Sequence, residues 1–226
     1  MSPQPIAAGF KAPSGNGGVA LLTGTALLDA RGCNFSSNYA RQISSTEGVV
    51  TDTGSGGAVH ITASTASFDS TVFANNTAEK EGGAIRASGG SVLTITKSEF
   101  RRNRAALAGG AIAIVHSSSL AINVTMFFDN SAGVRAGAIY AFQAVSVALR
   151  NTAFRYNRIS DVFKGNAMGT AVLAASVAVM LQNVTFSRNY AVTGARNLDF
   201  YCLQRSRYSA TLGEGITPPS EVVYRC

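Results

Sequence analysis

Apolar residues along this chain recur in pairs two positions apart, each pair followed by a phenylalanine and, three residues later, an asparagine. This FxxN element stands at Phe35/Asn38, Phe73/Asn76, Phe100/Asn103, Phe127/Asn130, Phe154/Asn157 and Phe186/Asn189, with successive Phe residues 38, 27, 27, 27 and 32 apart. Seven residues before each Phe stand Leu28, Ala66, Leu93, Leu120, Val147 and Val179; five before stand Ala30, Phe68, Ile95, Ile122, Leu149 and Leu181. A spacing of two with both members apolar is strand periodicity, one face buried. Two before each Phe comes a small or β-branched column, Cys33, Thr71, Ser98, Thr125, Thr152 and Val184. Two after each Asn comes Ala40, Ala78, Ala105, Ala132, Ile159 and Ala191.

A second element leads into each repeat: Gly17-Gly18-Val19-Ala20, Gly56-Gly57-Ala58-Val59, Gly82-Gly83-Ala84-Ile85 and Gly109-Gly110-Ala111-Ile112, then worn forms from Ala136 and Gly169. Side chains of one size at one place in every repeat are what like-on-like stacking demands, because no single coil can bury its own apolar face. The amphipathic 3.6-residue spacing of a helical solenoid is absent. We therefore predict an all-β fold, a single-stranded right-handed parallel β-helix of about six to seven coils. Six coils at the ~4.8 Å strand spacing give a core about 30 Å long. Residues 1–16 read as an N-terminal extension, 17–200 as the β-helix and 201–226 as a C-terminal cap, since the glycine pair is lost after Asn189. The Phe column is expected to fill the core, and the Asn column to turn a corner in the left-handed conformation and bond along the stack. The glycine pairs are expected at a second corner needing positive φ and close backbone approach.

Composition changes little in this picture but narrows the partners. Charged residues are 14% of the 226, and the net charge of +7 rests on 15 Arg and 4 Lys against 12 Asp and Glu. No apolar run reaches the ~18 residues that cross a bilayer, and the first residues carry no secretory leader pattern, so we expect either a protein that stays in the cell or an internal piece of a longer chain; the abrupt start of the repeats near residue 17 favours the piece. Four N-x-[ST] sequons, at Asn34, Asn75, Asn123 and Asn183, are candidate N-glycosylation sites and favour a eukaryotic secretory route. Three cysteines give neither a disulfide framework nor a metal spacing. Cys202 and Cys226 are the candidate disulfide, a staple over the open end in an oxidising compartment, and Cys33 is expected to be a buried free thiol.

The GGA[IV] and FxxN elements together resemble the repeats of the chlamydial polymorphic outer membrane proteins, within the wider pectin-lyase-like β-helix superfamily. Similar repeats occur in large extracellular proteins of algae, oomycetes and other protists. The resemblance covers roughly residues 17 to 200. It implies an extracellular or cell-surface module of structural or adhesin-like role; no cofactor is expected.

Chemistry must then lie in the irregular positions. The 12 carboxylates form no paired cluster of the kind a glycan-cleaving enzyme needs, and Glu79 and Glu81 beside Lys80 read as a solvated corner. His60 follows an inward Val59 and is expected to point outward in a column with Leu21, Arg86, Ala113, Tyr140 and Leu173; His60, Arg86 and Tyr140 form a candidate shallow glycan face. Arg101, Arg102 and Arg104 surround Asn103, Arg155 and Arg158 surround Asn157, and Arg188 precedes Asn189, all along one edge, where Asp129 breaks the stripe within reach of Arg102. Arg101, Arg102 and Arg155 are the second set of binding candidates; a solvated edge that resists aggregation is the competing role. Nucleic acid is set aside because the arginines lack interleaved aromatic platforms. Two bulges, near 40–55 and 159–166, leave from one corner, where solenoids often bind. The expected function is a non-catalytic module contacting cell-surface or matrix glycans or another surface protein; a pectin-lyase-like enzyme with a degenerate site is the alternative.

Overall fold

The computed structural model describes residues 6–8, 11–12, 16–42, 53–160, 169–192, 199–203 and 208–211. All the regular structure there is strand, and every strand pairing is parallel. Three sheets of twelve, seven and seven strands run along the stack. One seven-stranded sheet follows the glycine pairs: Ala20–Thr23, Val59–Thr62, Ile85–Ser88, Ile112–Val115, Ile139–Phe142, Val172–Ala175 and Phe200–Leu203. The other holds the two-residue strands after each Asn, such as Thr77–Ala78 and Arg104–Ala105. The large sheet carries two ladders per coil, for example Val92–Thr96 and Glu99–Arg101, which fuse into the ten-residue strands Ser146–Arg155 and Ala178–Ser187.

The register is the one the sequence columns specify. Leu93 pairs with Ala66 and Leu120, Ile95 with Phe68 and Ile122, and Phe100 with Phe73 and Phe127. This is a parallel β-helix. The rings of Phe35, Phe73, Phe100, Phe127, Phe154 and Phe186 stack nearly face on, centroids 4.7 to 5.1 Å apart and planes 7° to 13° from parallel. The strand spacing imposes that geometry; it leaves rings at contact distance only if they lie parallel.

The asparagines stay in the interior. Asn103 donates from Nδ2 to Asn130 Oδ1 at 3.0 Å and to the Phe73 carbonyl at 2.9 Å. Its Oδ1 accepts from the Asn76 backbone N–H at 3.0 Å and from Asn76 Nδ2 at 2.9 Å. Asn76, Asn130 and Asn157 repeat the pattern, so each of these buried amides is fully satisfied. The ladder reaches both ends of the column. Asn38 donates from its backbone N–H and from Nδ2 to Asn76 Oδ1, at 3.1 and 2.8 Å, and Asn189 donates to the Phe154 carbonyl at 3.1 Å.

One expectation for this column is corrected. The left-handed residue at the corner is not the Asn, whether Asn38, Asn76, Asn103, Asn130, Asn157 or Asn189, but the one before it. Ser37, Asn75, Arg102, Asp129, Tyr156 and Arg188 have φ between +53° and +57°. Asn38, expected at a corner, is thus a buried member of the ladder, 1% exposed, and Ser37 makes the turn. The turn needs one αL step, and taking it a residue early points the Asn amide inward, where its bonds offset the ~1–2 kcal/mol of that step.

At the glycine corner the first residue takes the positive φ, +68° at Gly56 and +64° at Gly82, with Ala136 at +53° in the same slot. The second glycine answers a different need. A Cβ on Gly83 would lie 2.1 Å from the Gly110 carbonyl oxygen of the next coil, whereas one on Gly82 would meet the Ile85 carbonyl oxygen of its own coil at 2.2 Å.

Pairing runs past both boundaries expected from sequence. Ile6–Ala8 and Lys11–Ala12 pair with Asn34–Ser36 and Tyr39–Ala40 ahead of the first glycine pair, and Tyr208–Thr211 pairs with the Val179–Gln182 stretch within the region set aside as a cap. These segments lack the repeat motifs, but a parallel edge accepts any strand in register through its backbone. The two expected bulges fall largely on residues 43–52 and 161–168, outside the described residues.

Candidate functional site

The outward row of the glycine-side sheet brings its residues together in the predicted order. His60 pairs with Arg86, Arg86 with Ala113, Ala113 with Tyr140, and Tyr140 with Leu173. From His60 to Leu173 the row does not face solvent, whereas Leu21 at its start is 58% exposed. His60, Arg86 and Tyr140 are 3%, 4% and 6% exposed, so the shallow glycan face expected from these three is absent. The row is largely apolar, and it packs into a second core outside the sheet. There Ala113, Val115, Tyr140, Leu173 and Ala175 meet Ala108, just before a glycine pair, and Ala136, in the slot of a first glycine. Alternation alone assigns a residue to a face; it does not say whether that face is covered.

Within this row sits a buried polar network. Arg86 Nε lies 3.3 Å from Glu81 Oε2, and Arg86 Nη1 donates to Ser88 Oγ at 3.2 Å and to His60 Nε2 at 3.4 Å. His60 Nδ1 lies 3.4 Å from the Ser55 carbonyl oxygen, which can only accept. A guanidinium that can only donate at Nε2 and a carbonyl that can only accept at Nδ1 are the pairing that a neutral imidazole protonated on Nδ1 satisfies, and the Thr62 hydroxyl also lies 3.2 Å from Nε2. Burial, with the Glu81 charge adding, pushes the Tyr140 hydroxyl above its ordinary pKa, against the opposing effect of Arg135. Glu81 is therefore a structural counter-ion rather than part of a solvated corner. Glu79 is engaged too: it accepts from the Tyr39 hydroxyl, raising that pKa, and from the Gln42 backbone N–H at 2.7 Å.

The FxxN edge carries five of the ten exposed Arg and Lys among the described residues. Three outward rows turn this corner. The first reads Ser36, Ala74, Arg101, Phe128, Arg155 and Ser187; the second, just before each Asn, reads Ser37, Asn75, Arg102, Asp129, Tyr156 and Arg188; the third reads Tyr39, Thr77, Arg104, Ser131, Arg158 and Tyr190. Asp129 lies 3.7 Å from Arg102, the pairing expected from sequence, and also takes Arg158. Arg101 lies 3.7 Å from Glu99. Arg104 and Arg155 are exposed and have no carboxylate partner among the described residues.

Sequence reasoning missed the aromatics of this edge. Phe128 stands between Arg101 and Arg155 in its row, and packs edge to face on Tyr156 with centroids 5.5 Å apart. Arg188 donates to the Tyr156 hydroxyl at 2.6 Å and covers its ring at 5.6 Å. The premise that no aromatics interleave with the arginines is thus corrected. The signal was there: Phe128 lies 27 residues from both Arg101 and Arg155.

A shallow open groove of about 530 Å³ runs along the neighbouring corner, lined among others by Ser70, Lys97, Glu99, Val124, Met126 and Asn151. Its lining contains a single carboxylate. At its flank Asn183 Nδ2 donates to Asn151 Oδ1, and Asn151 Nδ2 to Asn123 Oδ1, both at 2.9 Å.

The family described as the right handed beta helix region matches residues 17–203. The chain belongs to that family. Neither curated proteins nor solved structures give a match. In this right-handed β-helix the matched span begins at the first glycine pair and ends with the strand Phe200–Leu203, the stretch over which all three sheets are stacked. Of the β-helix's sequons, Asn75, Asn123 and Asn183 are exposed, whereas Asn34 is half-buried with its Oδ1 enclosed. Cys33 is a free thiol and half-buried rather than fully buried. The Cys202 backbone pairs with Ala174, and Cys226, hence the predicted staple, lies outside the described residues. Among the described residues no helix is long and apolar enough to cross a membrane.

Proposed function

We propose that this β-helix is a non-catalytic extracellular module of structural or adhesin-like role, a segment of a larger cell-surface protein that contacts glycans. The observation that carries the proposal is how the polar residues are used. The recurring Asn and Ser side chains are bonded coil to coil inside the rod, and five of the ten exposed Arg and Lys among the described residues stand on one edge. A scaffold built this way is stiff and presents a fixed surface, which is what adhesion asks of a solenoid. The resemblance to the polymorphic outer membrane protein repeats and the exposed sequons support an extracellular setting.

A glycan array probed with the full chain, run beside a reducing-sugar release assay on acidic polysaccharides, tests the proposal. Retention of glycan without release of sugar is the expected result. Release of sugar from any of these polysaccharides replaces the proposal with the polysaccharide-active enzyme.

A further inference from the structure

We infer that the FxxN edge is a binding surface for an acidic polysaccharide, read by the spacing of its arginines; the inference rests on the non-catalytic, glycan-contacting function proposed above. Six arginines, Arg101, Arg102, Arg104, Arg155, Arg158 and Arg188, face two carboxylates, Glu99 and Asp129, so four positive charges remain on three adjoining rows. Self-pairing holds part of this set in place and leaves Arg104 and Arg155 available.

The backbones of the first and third rows are held in place by strand pairing from coil to coil. Arg101 and Arg155 are two coils apart, as are Arg104 and Arg158, which is about 9.6 Å at the ~4.8 Å strand spacing. That distance is close to the span of two linked pyranose rings. Two anionic groups on alternate sugars of a polysaccharide laid along the rod therefore meet the two guanidinium groups of one row. Guanidinium forks match carboxylate or sulfate bidentately. Phe128, half-exposed between Arg101 and Arg155, offers an apolar contact to the C–H face of the intervening sugar. Single-stranded nucleic acid fits less well. Phe128 and Tyr156 are packed edge to face with an interplanar angle of 73°, and Tyr156 is already covered by Arg188, so they are not parallel platforms for successive bases.

Three probes test the assignment by calorimetry with the full chain: digalacturonate against tetragalacturonate for carboxylates, a heparin tetrasaccharide for sulfates, and a thymidine oligonucleotide. The edge variant is R104Q/R155Q/R188Q. Its control, R31Q/K97Q/R150Q, removes the same charge from the adjoining corner. At least one acidic tetrasaccharide is expected to bind, more tightly than the disaccharide and more weakly as salt rises. The stronger of the two anionic arms identifies the recognised group. The edge variant is expected to lose tenfold or more in affinity, with an unchanged circular dichroism spectrum, and the control less than twofold. Equal losses in the two variants, no binding of either tetrasaccharide, or tighter binding of the oligonucleotide overturns the inference. Sugar release overturns the non-catalytic proposal separately, since it can occur with or without dependence on the edge.

Discussion

Replacing Asn103 by alanine is the most direct probe of the ladder that closes each coil. Asn103 is fully buried at the centre of the stack. Truncation removes the acceptor of two donors on Asn76, its backbone N–H at 3.0 Å and its Nδ2 at 2.9 Å. It also removes the donor to the Phe73 carbonyl, whereas Asn130 Oδ1 keeps the Asn103 backbone N–H at 3.0 Å. Two buried donors left unpaired cost ~1–3 kcal/mol each, so the expected loss is ~2–6 kcal/mol. Urea denaturation of the full chain, followed by far-ultraviolet circular dichroism, measures it, with Asn123→Ala as control. Asn123 is exposed and its side-chain bond to Asn151 lies at the surface, so the control stays within ~0.5 kcal/mol. Asn103→Asp adds a pH signature. A carboxylate there faces two acceptors, Asn130 Oδ1 and the Phe73 carbonyl, so its folded-state pKa is raised. A raised carboxyl is stable when protonated, so the variant loses stability as pH rises from the unfolded-state value through the folded one, and recovers part of it in acid. A loss below ~1 kcal/mol for N103A, or a pH-independent N103D, refutes the reasoning.

Three further outcomes follow from the same structure. Phe100→Ala opens a cavity between rings at 4.7 and 4.9 Å and is expected to cost ~3–5 kcal/mol by urea denaturation; a cost near 1 kcal/mol contradicts the continuous ring stack. Gly83→Ala, whose Cβ meets a backbone carbonyl of the next coil at 2.1 Å, is expected to exceed the ~1–3 kcal/mol of ordinary overpacking. Gly82→Ala places a Cβ 2.2 Å from the Ile85 carbonyl oxygen of its own coil, yet Ala136 already holds that slot with φ +53°, so it is expected to cost less than Gly83→Ala; the reverse order in thermal melts refutes this difference between the two glycines. The Thr96 hydroxyl donates to Asp69 at 2.6 Å and is the main cause holding that carboxyl below its usual pKa. Thr96→Val should raise the Asp69 pKa in an NMR titration. A depressed carboxyl stabilises the fold above its unfolded-state pKa, and that contribution disappears as pH falls through the folded value, so the variant should match the parent in acid. An Asp69 titration unchanged by the substitution sinks this assignment.

The sequence by itself determined the coil. A motif repeat with a period of 27 from Phe73 to Phe154, and longer steps at either end, fixes which side chains stack, and because a parallel pairing carries each residue onto its equivalent, the columns read from Phe35 to Phe186 are the register observed. It also showed which edge carries the arginines. A third regular column, Ser64, Ser91 and Ser118, bonded through Oγ to backbone N–H groups of the preceding coil, went unread although its spacing of 27 was visible. Only the tertiary structure decided where the left-handed step falls, since FxxN allows it at either of two adjoining residues, such as Ser37 or Asn38, and the inward amide ladder selects the first. Only it decided that His60, Arg86 and Tyr140 are buried. Period two tells the two faces of a sheet apart, but whether the outer face meets water depends on Ala108, Ala136 and the apolar residues packed over it. And only stacking put Phe128 between Arg101 and Arg155, joining residues that are neighbours across coils and strangers along the chain.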